Sequence, residues 1–552
     1  MSKFLDMSKS FARRAAAGPT RSCAGCRLRR WWSASVLLTA MVVAAWPANA
    51  QVVPGEGASI GTLSADRARV RQITGASADS LAVGDSLTRL SVIRPTLRFI
   101  SNSALPNGGN DGALWAGRGA NFSLSGGVRY QRRLENGLLT VVVAPEADYS
   151  QNIPFSLFAG RQPGRSAFSS PWHIGQSSAD LPLRFGDIPV KAIGLGQSSV
   201  TFMMDRVAFG ASAANEWWGP ALRNTLLLSN NAAGVPRLFA RTSRPVHTRF
   251  GDFEGRAMIG ALTESPFFDY DAGNDTRSLS GLLVTYRPAI DSGLTIGLSR
   301  LVMARASSKL GVIQHALDVV LHYEPIQPAA DTNEAGQSYQ STDQLFSLFA
   351  RWVFPASGFE TYVEWSRMEL PRSIREYLEV PQSTQGYTIG LQYAQPHRNE
   401  SYFRLQSEVT YLEQTQVLPN RPPPDYYTGR AAPQGFTQRG QILGAAIGPG
   451  SSTQFIGMDW MANAWQAGAF LGRTRTENDA LYRLLAHNVT QHDVTIFSGV
   501  RGGARLPWSD VSGELTVGRR LNYLFQNEGF LGLPINAVDI QNVTLSLTLS
   551  PR

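Results

Sequence analysis

Beyond residue 50 the chain has no long apolar run, yet it is full of short segments in which apolar and polar residues alternate. Near the C-terminus Val543, Leu545, Leu547 and Leu549 interleave with Thr544, Ser546, Thr548 and Ser550. A period of two puts each set on its own face of a strand. Such strands fit two architectures. A soluble β-sandwich buries the apolar face and wets the polar one. A membrane barrel does the reverse, and it must close, because in hydrocarbon every backbone N–H and C=O needs a partner inside the protein. Periodicity alone does not separate the two.

Other features favour the barrel. Residues 1–50 read as a secretory leader, with Arg27, Arg29 and Arg30 before an apolar core at 34–45. Ala48-Asn49-Ala50 fits a cleavage site. The core is too short to span a bilayer as a helix. The leader holds eight of the 51 basic residues and one of the 42 acidic ones, so the remainder is nearly neutral, net +2. The basic balance of the whole chain is therefore no argument for a nucleic-acid partner. Both cysteines, Cys23 and Cys26, lie in the leader, which leaves the exported part without disulfides. Nine of the 12 tryptophans follow the leader. Strand-like segments recur almost to the end without an interdomain linker, so one large closed sheet accounts for the length better than several globular domains.

The expected organisation is a leader (1–50), a short periplasmic helical or plug-like segment (51–94) and an all-β transmembrane antiparallel barrel of about 18 strands (95–552). In the second region Ser64 reads as a helix N-cap, and Ser77 as the cap of a second helix carrying Leu81, Leu87 and Leu90. Phe346, Leu348, Ala350, Trp352 and Phe354 share one strand face, opposite Ser347 and Arg351. Val363 and Trp365 oppose Tyr362, Glu364 and Ser366. Arg129, Arg351 and Glu364 fall on the wet, inward face by parity. Trp352, Phe354, Trp365, Tyr387 and Tyr393 suit the aromatic girdles at the membrane interfaces. A further strand is expected at 438–443. Long connections fall near 150–187, 214–246, 304–343, 370–385, 413–436 and 474–492, where binding usually resides. In one of them Pro422-Pro-Pro-Asp-Tyr426-Tyr427 reads as a stiff, exposed segment presenting two rings.

Motifs for chemistry are sparse. The spacing of seven between His315 and His322 matches no metal motif, and there is no H-E-x-x-H, G-x-S-x-G or Walker loop. Gly448-Pro-Gly-Ser-Ser452 lacks the lysine and helix of a phosphate cradle and reads as a turn. No catalytic residue, metal or cofactor is assigned.

One stretch is distinctive: Glu216-Trp217-Trp218-Gly219-Pro220, then Arg223-Asn224, then Leu226-Leu-Leu-Ser-Asn230-Asn231-Ala232 with Gly234-Val-Pro236. It resembles the Wzi-type capsule-assembly proteins of the bacterial outer membrane. Asn110-Asp-Gly-Ala-Leu-Trp115, Arg184-Phe-Gly-Asp187, Phe354-Pro-Ala-Ser-Gly-Phe-Glu360 and Thr437-Gln-Arg-Gly-Gln-Ile-Leu-Gly444 look similar to the same family. The resemblance implies an eighteen-stranded outer-membrane barrel with a helical periplasmic part. It implies a lectin-like role without catalysis, binding capsular polysaccharide or exopolysaccharide and holding it at the cell surface. Outer-membrane lipid and the barrel-assembly machinery are the other expected partners. Two features depart from the family: the helical segment is short, and the chain ends Leu549-Ser-Pro-Arg552 instead of on an aromatic residue.

A capsule lectin needs rings to stack on sugars, planar groups for hydroxyls, and cations for an acidic glycan. Trp217, Trp218, Arg223, Asn224, Asn230 and Asn231 supply these, with Tyr426 and Tyr427 as a rival contact. The same motif equally suits an inward fold that braces the barrel through buried hydrogen bonds. The rival functions are a sugar or small-solute channel with inward Arg and Glu setting selectivity, and an outer-membrane hydrolase.

Overall fold

A computed structural model describes residues 63–75, 88–157, 164–325, 340–371, 373–414, 424–485, 491–526 and 538–551. The leader and the expected second helix at Ser77 lie outside them, although Leu90 is inside a strand. The 21 hydrogen-bonded segments of the main sheet form 18 staves, because three staves are each interrupted once.

In chain order the staves are β1 (Thr88–Asn102), β2 (Gly119–Leu134), β3 (Gly137–Val143 and Glu146–Ser150), β4 (Val190–Gly194 and Ser199–Met204) and β5 (Val207–Ser212). Then come β6 (Arg237–Thr242 and Val246–Thr248), β7 (Gly251–Thr263), β8 (Thr276–Pro288), β9 (Leu294–Arg305) and β10 (Thr342–Phe354). They continue as β11 (Phe359–Met368), β12 (Gln385–Pro396), β13 (Tyr402–Tyr411) and β14 (Ser452–Met461). The last four are β15 (Trp465–Arg475), β16 (Val494–Arg505), β17 (Ser509–Leu521) and β18 (Ile540–Pro551). Every neighbouring pair is antiparallel. β18 returns to β1 through a seam running from Leu97 opposite Leu549 to Asn102 opposite Thr544. The sheet is therefore a closed barrel.

Three expectations need correction. The barrel expected from residue 95 begins at Thr88, because residues 88–93 already pair with β2. The loop expected at 214–246 ends early, because Arg237–Thr242 is a stave. The strand expected at 438–443 is not one. Thr437–Gln438 pairs with Gln441–Ile442 as a minimal hairpin separate from the barrel wall.

Parity along the staves is as expected. Leu298, Leu348, Val363, Ile389, Met458 and Val500 are outward and exposed, whereas Ser347, Glu364, Thr388 and Asp459 point inward and are buried. Two outward aromatic rows bracket the apolar band. Trp365, Tyr387 and Tyr411 lie in register near one end, one diagonal step from Phe346, and Phe354, Phe359 and Tyr393 lie in register near the other, beside Trp352. Eight residues separate Phe346 from Phe354, about 26 Å along a strand and roughly 20 Å once strand tilt is allowed for. That spacing suits girdles at the two faces of an apolar slab. No helix among the described residues is long and apolar enough to cross a membrane.

Short turns and long loops alternate strictly around the barrel. At the short-turn end sits helix α1 (Leu63–Ile73), which begins one residue before the expected cap Ser64. Ion pairs hold it to the inner wall. Asp66 pairs with Arg404 at 2.9 Å, Arg404 with Asp459 at 2.8 Å, and Arg501 with Asp459 at 2.7 Å. Arg69 and Arg351 both engage Glu360. Val70 and Ile73 pack on Ala394 and Met461.

Candidate functional site

The distinctive Glu216–Pro236 motif lies on the β5–β6 loop (213–236), which enters the lumen from the long-loop end. Its apolar residues decide that course. Trp218, Leu226, Leu227 and Leu228 join Phe239, Leu283, Leu301 and Phe349 of the inner wall in one buried cluster. A lumen face carrying leucine and phenylalanine cannot stay wet without cost, and the loop covers it.

Wall carboxylates then fix the loop's backbone. Glu408 on β13 accepts from the amides of Leu222 (2.8 Å), Arg223 (3.1 Å) and Asn224 (2.9 Å), and from the Tyr362 hydroxyl at 2.7 Å. Glu364 on β11 accepts from the Leu226 amide (3.2 Å), the Thr225 hydroxyl (3.1 Å) and the Ser347 hydroxyl (3.0 Å). Thr388 donates to the Asn224 carbonyl at 2.9 Å, and Arg69 of α1 donates to the Pro220 carbonyl at 2.7 Å. Gly219 has φ +146°, and a Cβ there would lie 2.2 Å from Thr225 Oγ1 and 2.6 Å from Glu364 Oε2. Only glycine permits this approach.

The β13–β14 loop (412–451) folds in beside it. The Tyr427 hydroxyl donates to the Leu226 carbonyl at 2.7 Å and accepts from the Ala445 amide at 2.8 Å. Tyr426 bonds Ser366 through its hydroxyl. Ser229 donates its amide to Leu443 at 2.8 Å, and Asn231 donates its side-chain amide to Ile442 at 3.0 Å. The β1–β2 loop (103–118) adds Asn110, which donates to the Arg223 carbonyl at 2.9 Å, and Gly112, which donates to the Asn230 carbonyl at 2.7 Å.

The eight expected contact residues therefore separate into two groups. Trp217, Trp218, Tyr426 and Tyr427 are at most 1 % exposed. A ring with no free face cannot stack on a sugar, so these four are bracing residues. Of the segment expected to be exposed, Pro422 and Pro423 lie outside the described residues, and Asp425, Tyr426 and Tyr427 are all buried, so the two rings form no exposed platform. Asn224 is also buried, with its backbone committed on both sides. Arg223, Asn230 and Asn231 remain half-buried. The Arg223 guanidinium lies 4.0 Å over the Phe455 ring. Burial pulls its pKa below the ordinary arginine range, an effect opposed by Glu514.

Sequence reasoning missed the role of Glu408 and understated that of Glu364. The available signal was an inward-facing carboxylate opposite a loop carrying a Trp217-Trp218-Gly219-Pro220 run. Among the described residues, exposed rings on the long-loop side include Tyr270, in the β7–β8 connection, and Tyr482, in the β15–β16 connection. Neither belongs to the motif.

Comparison with known proteins decides the family. The family model described as capsule assembly protein Wzi matches residues 110–509. The chain belongs to the Wzi capsule assembly family. The match contains both inward loops and the wall carboxylates beneath them. Wzi of Escherichia coli has a solved structure described as an outer-membrane protein involved in group 1 capsule assembly and a carbohydrate-binding β-barrel. It aligns with TM-score 0.50 at 9% identity, covering 83% of this chain and 84% of that one. OprD of Pseudomonas aeruginosa aligns at TM-score 0.39 and 9% identity, over 85% of this chain and 95% of its own. OccK2 of the same organism aligns at TM-score 0.40 and 9% identity, over 84% and 98%. These two share too little geometry with the Wzi-family barrel to bear on its function. No curated protein matches the sequence.

Proposed function

We propose that this Wzi-family barrel resides in the outer membrane of a double-membraned bacterium. There it binds capsular polysaccharide or a similar exopolysaccharide without covalent chemistry and supports its attachment at the cell surface. The observation that carries this reading is the family match across residues 110–509. The long-loop end faces outward from the cell, and α1 lies on the periplasmic side.

Arg223, Asn230 and Asn231 supply hydrogen-bond donors and a cation, and Tyr270 and Tyr482 supply free rings for sugar faces. Individual contacts of this kind are weak, and a repeating polymer multiplies them. Export by the leader, surrounding lipid and insertion by the barrel-assembly machinery complete the proposal.

Two filled loops in the lumen argue against a wide solute channel. Purified protein in planar bilayers is expected to pass little current while retaining capsular polymer in a pull-down. Deletion of the gene is expected to release surface polymer into the medium. Polymer retained on the deletion strain as on its parent would refute the assigned role and leave the barrel intact.

A further inference from the structure

The β9–β10 loop does not enter the lumen. After Arg305 it turns outward over the rim, and two short helical turns, Gly311–His315 and Asp318–Leu321, lie against the outside of the barrel. Val312 packs on Ile259 and Ala306 of the outer wall. The β11–β12 loop does the same with a short helix, Ile374–Glu379. The two are joined where Tyr323 donates to the Pro371 carbonyl at 3.1 Å and Pro325 bridges to Leu370.

Beside that apolar contact, polar side chains also lie under the collar. Arg300 and Arg367 point outward, and both stand in register with Phe346 of the upper aromatic row. The collar supplies acceptors to both. Arg300 donates to the carbonyls of Val319 (3.0 Å) and His322 (2.7 Å), and Arg367 to that of Pro381 (3.2 Å). Outward-facing Ser278 and Ser280 next to them are fully buried. The collar's own outer face is apolar: Leu310, Ile313, Leu317, Leu321, Ile374 and Leu378 are each more than half exposed.

We infer that this collar is an interfacial lipid-binding element, which seats its apolar side chains in the outer leaflet at the level of the upper aromatic row. Continuity carries the inference. Directly below, Leu298, Leu348 and Val363 form the apolar band, and the collar extends that band upward over a stretch of wall whose own arginines and serines could not face acyl chains. Short amphipathic helices lying in the plane of the interface bind by this division of faces. The collar covers the polar groups of this wall with an apolar outer face at the height where hydrocarbon gives way to headgroups.

The test uses the full chain with Cys23→Ser and Cys26→Ser, so that one introduced cysteine carries an environment-sensitive fluorophore. Leu317→Cys and Leu378→Cys probe the collar separately, so misfolding of one leaves the other informative. Leu348→Cys marks the apolar band, and Ile290→Cys marks an exposed short turn. In nanodiscs whose lipids carry brominated acyl chains, both collar probes are expected to be quenched like the Leu348 probe, while the Ile290 probe is not. Water-like emission at both collar positions, quenched by iodide and untouched by brominated lipid, overturns the inference. So does a dry signal that ignores brominated lipid and appears only when discs hold two copies, which would make the collar a contact between chains.

Discussion

Removing the Glu408 carboxylate tests whether wall carboxylates hold the β5–β6 loop. Glu408 is 2 % exposed and is the acceptor for three consecutive loop amides and the Tyr362 hydroxyl. In Glu408→Ala the Asn224 amide and the Tyr362 hydroxyl, both buried, lose their acceptor. The Leu222 and Arg223 amides are partly buried and can recover some of the loss from water. A buried donor left unpaired costs about 1–3 kcal/mol, so the two buried groups together cost about 4 kcal/mol. The wall strands remain fully paired, so the cost falls on the loop. Every 1.4 kcal/mol is tenfold, and loop opening becomes about a thousandfold more frequent. Hydrogen exchange read by mass spectrometry on peptides covering 217–228 measures this directly. Exchange there is expected to rise by that factor, while peptides of β16 and β17 keep their protection. Glu408→Gln retains an oxygen acceptor but turns an NH2 toward the remaining donors, so it is expected to fall between, at about tenfold to a hundredfold. Unchanged exchange in 217–228 for Glu408→Ala refutes the pedestal role, and an equal rise across β16 and β17 refutes its local character.

Gly219→Ala combines a left-handed backbone with a Cβ clash against Thr225 and Glu364. It is expected to destabilise the loop by about 2–3 kcal/mol and to expose a protease site within 213–236, detectable by limited proteolysis. Trp217→Ala vacates a fully buried site and is expected to cost about 3–5 kcal/mol, lowering the denaturation midpoint seen by gel mobility. Arg223→Ala, by contrast, is expected to cost only about 1 kcal/mol, the worth of its stacking on Phe455, and to lower polysaccharide retention. Equal behaviour of the two variants would erase the division between bracing and contact residues. Asp180, in the β3–β4 connection, accepts the Ser265 amide at 2.7 Å and hydroxyl at 2.6 Å, and burial pushes its pKa up to about 6. Because the folded value lies above the unfolded one, its contribution is full below about pH 3.8 and is lost as pH rises to about 6. Wild type is therefore expected to lose about 3 kcal/mol relative to Asp180→Asn between those limits. Urea midpoints of both proteins at pH 3.5 and 7 check the sign.

The barrel wall was readable because the membrane writes a period of two into it. Val363 and Glu364 fall on the faces that parity assigns, and Trp352 and Tyr393 are exposed outward as expected. Arg237–Thr242 escaped because it follows directly on the turn signals Asn230-Asn231 and Gly234-Val-Pro236. The 438–443 segment is too short to cross, and it folds back as a hairpin that pairs Gln438 with Gln441. The lumen was harder to read. Trp217 and Trp218 look the same in sequence whether a loop projects into solvent or folds inward. The adjacent Leu226-Leu227-Leu228 run was the available clue, since three consecutive leucines do not suit an exposed loop. The collar carried a comparable signal in Val312, Ala316 and Val319, spaced four and three apart, but a stretch this short does not announce a helix.

The two strands that meet at the seam stand over 400 residues apart in the sequence, and they are joined by only a few rungs. Bringing such distant stretches together costs roughly 5 kcal/mol of chain entropy beyond the first contact. Neither stretch can recover that cost until the intervening staves hold them near each other. The hoop is accordingly stitched shut last, and until then it carries two raw selvedges that must be sheltered from each other's copies in neighbouring, half-built molecules.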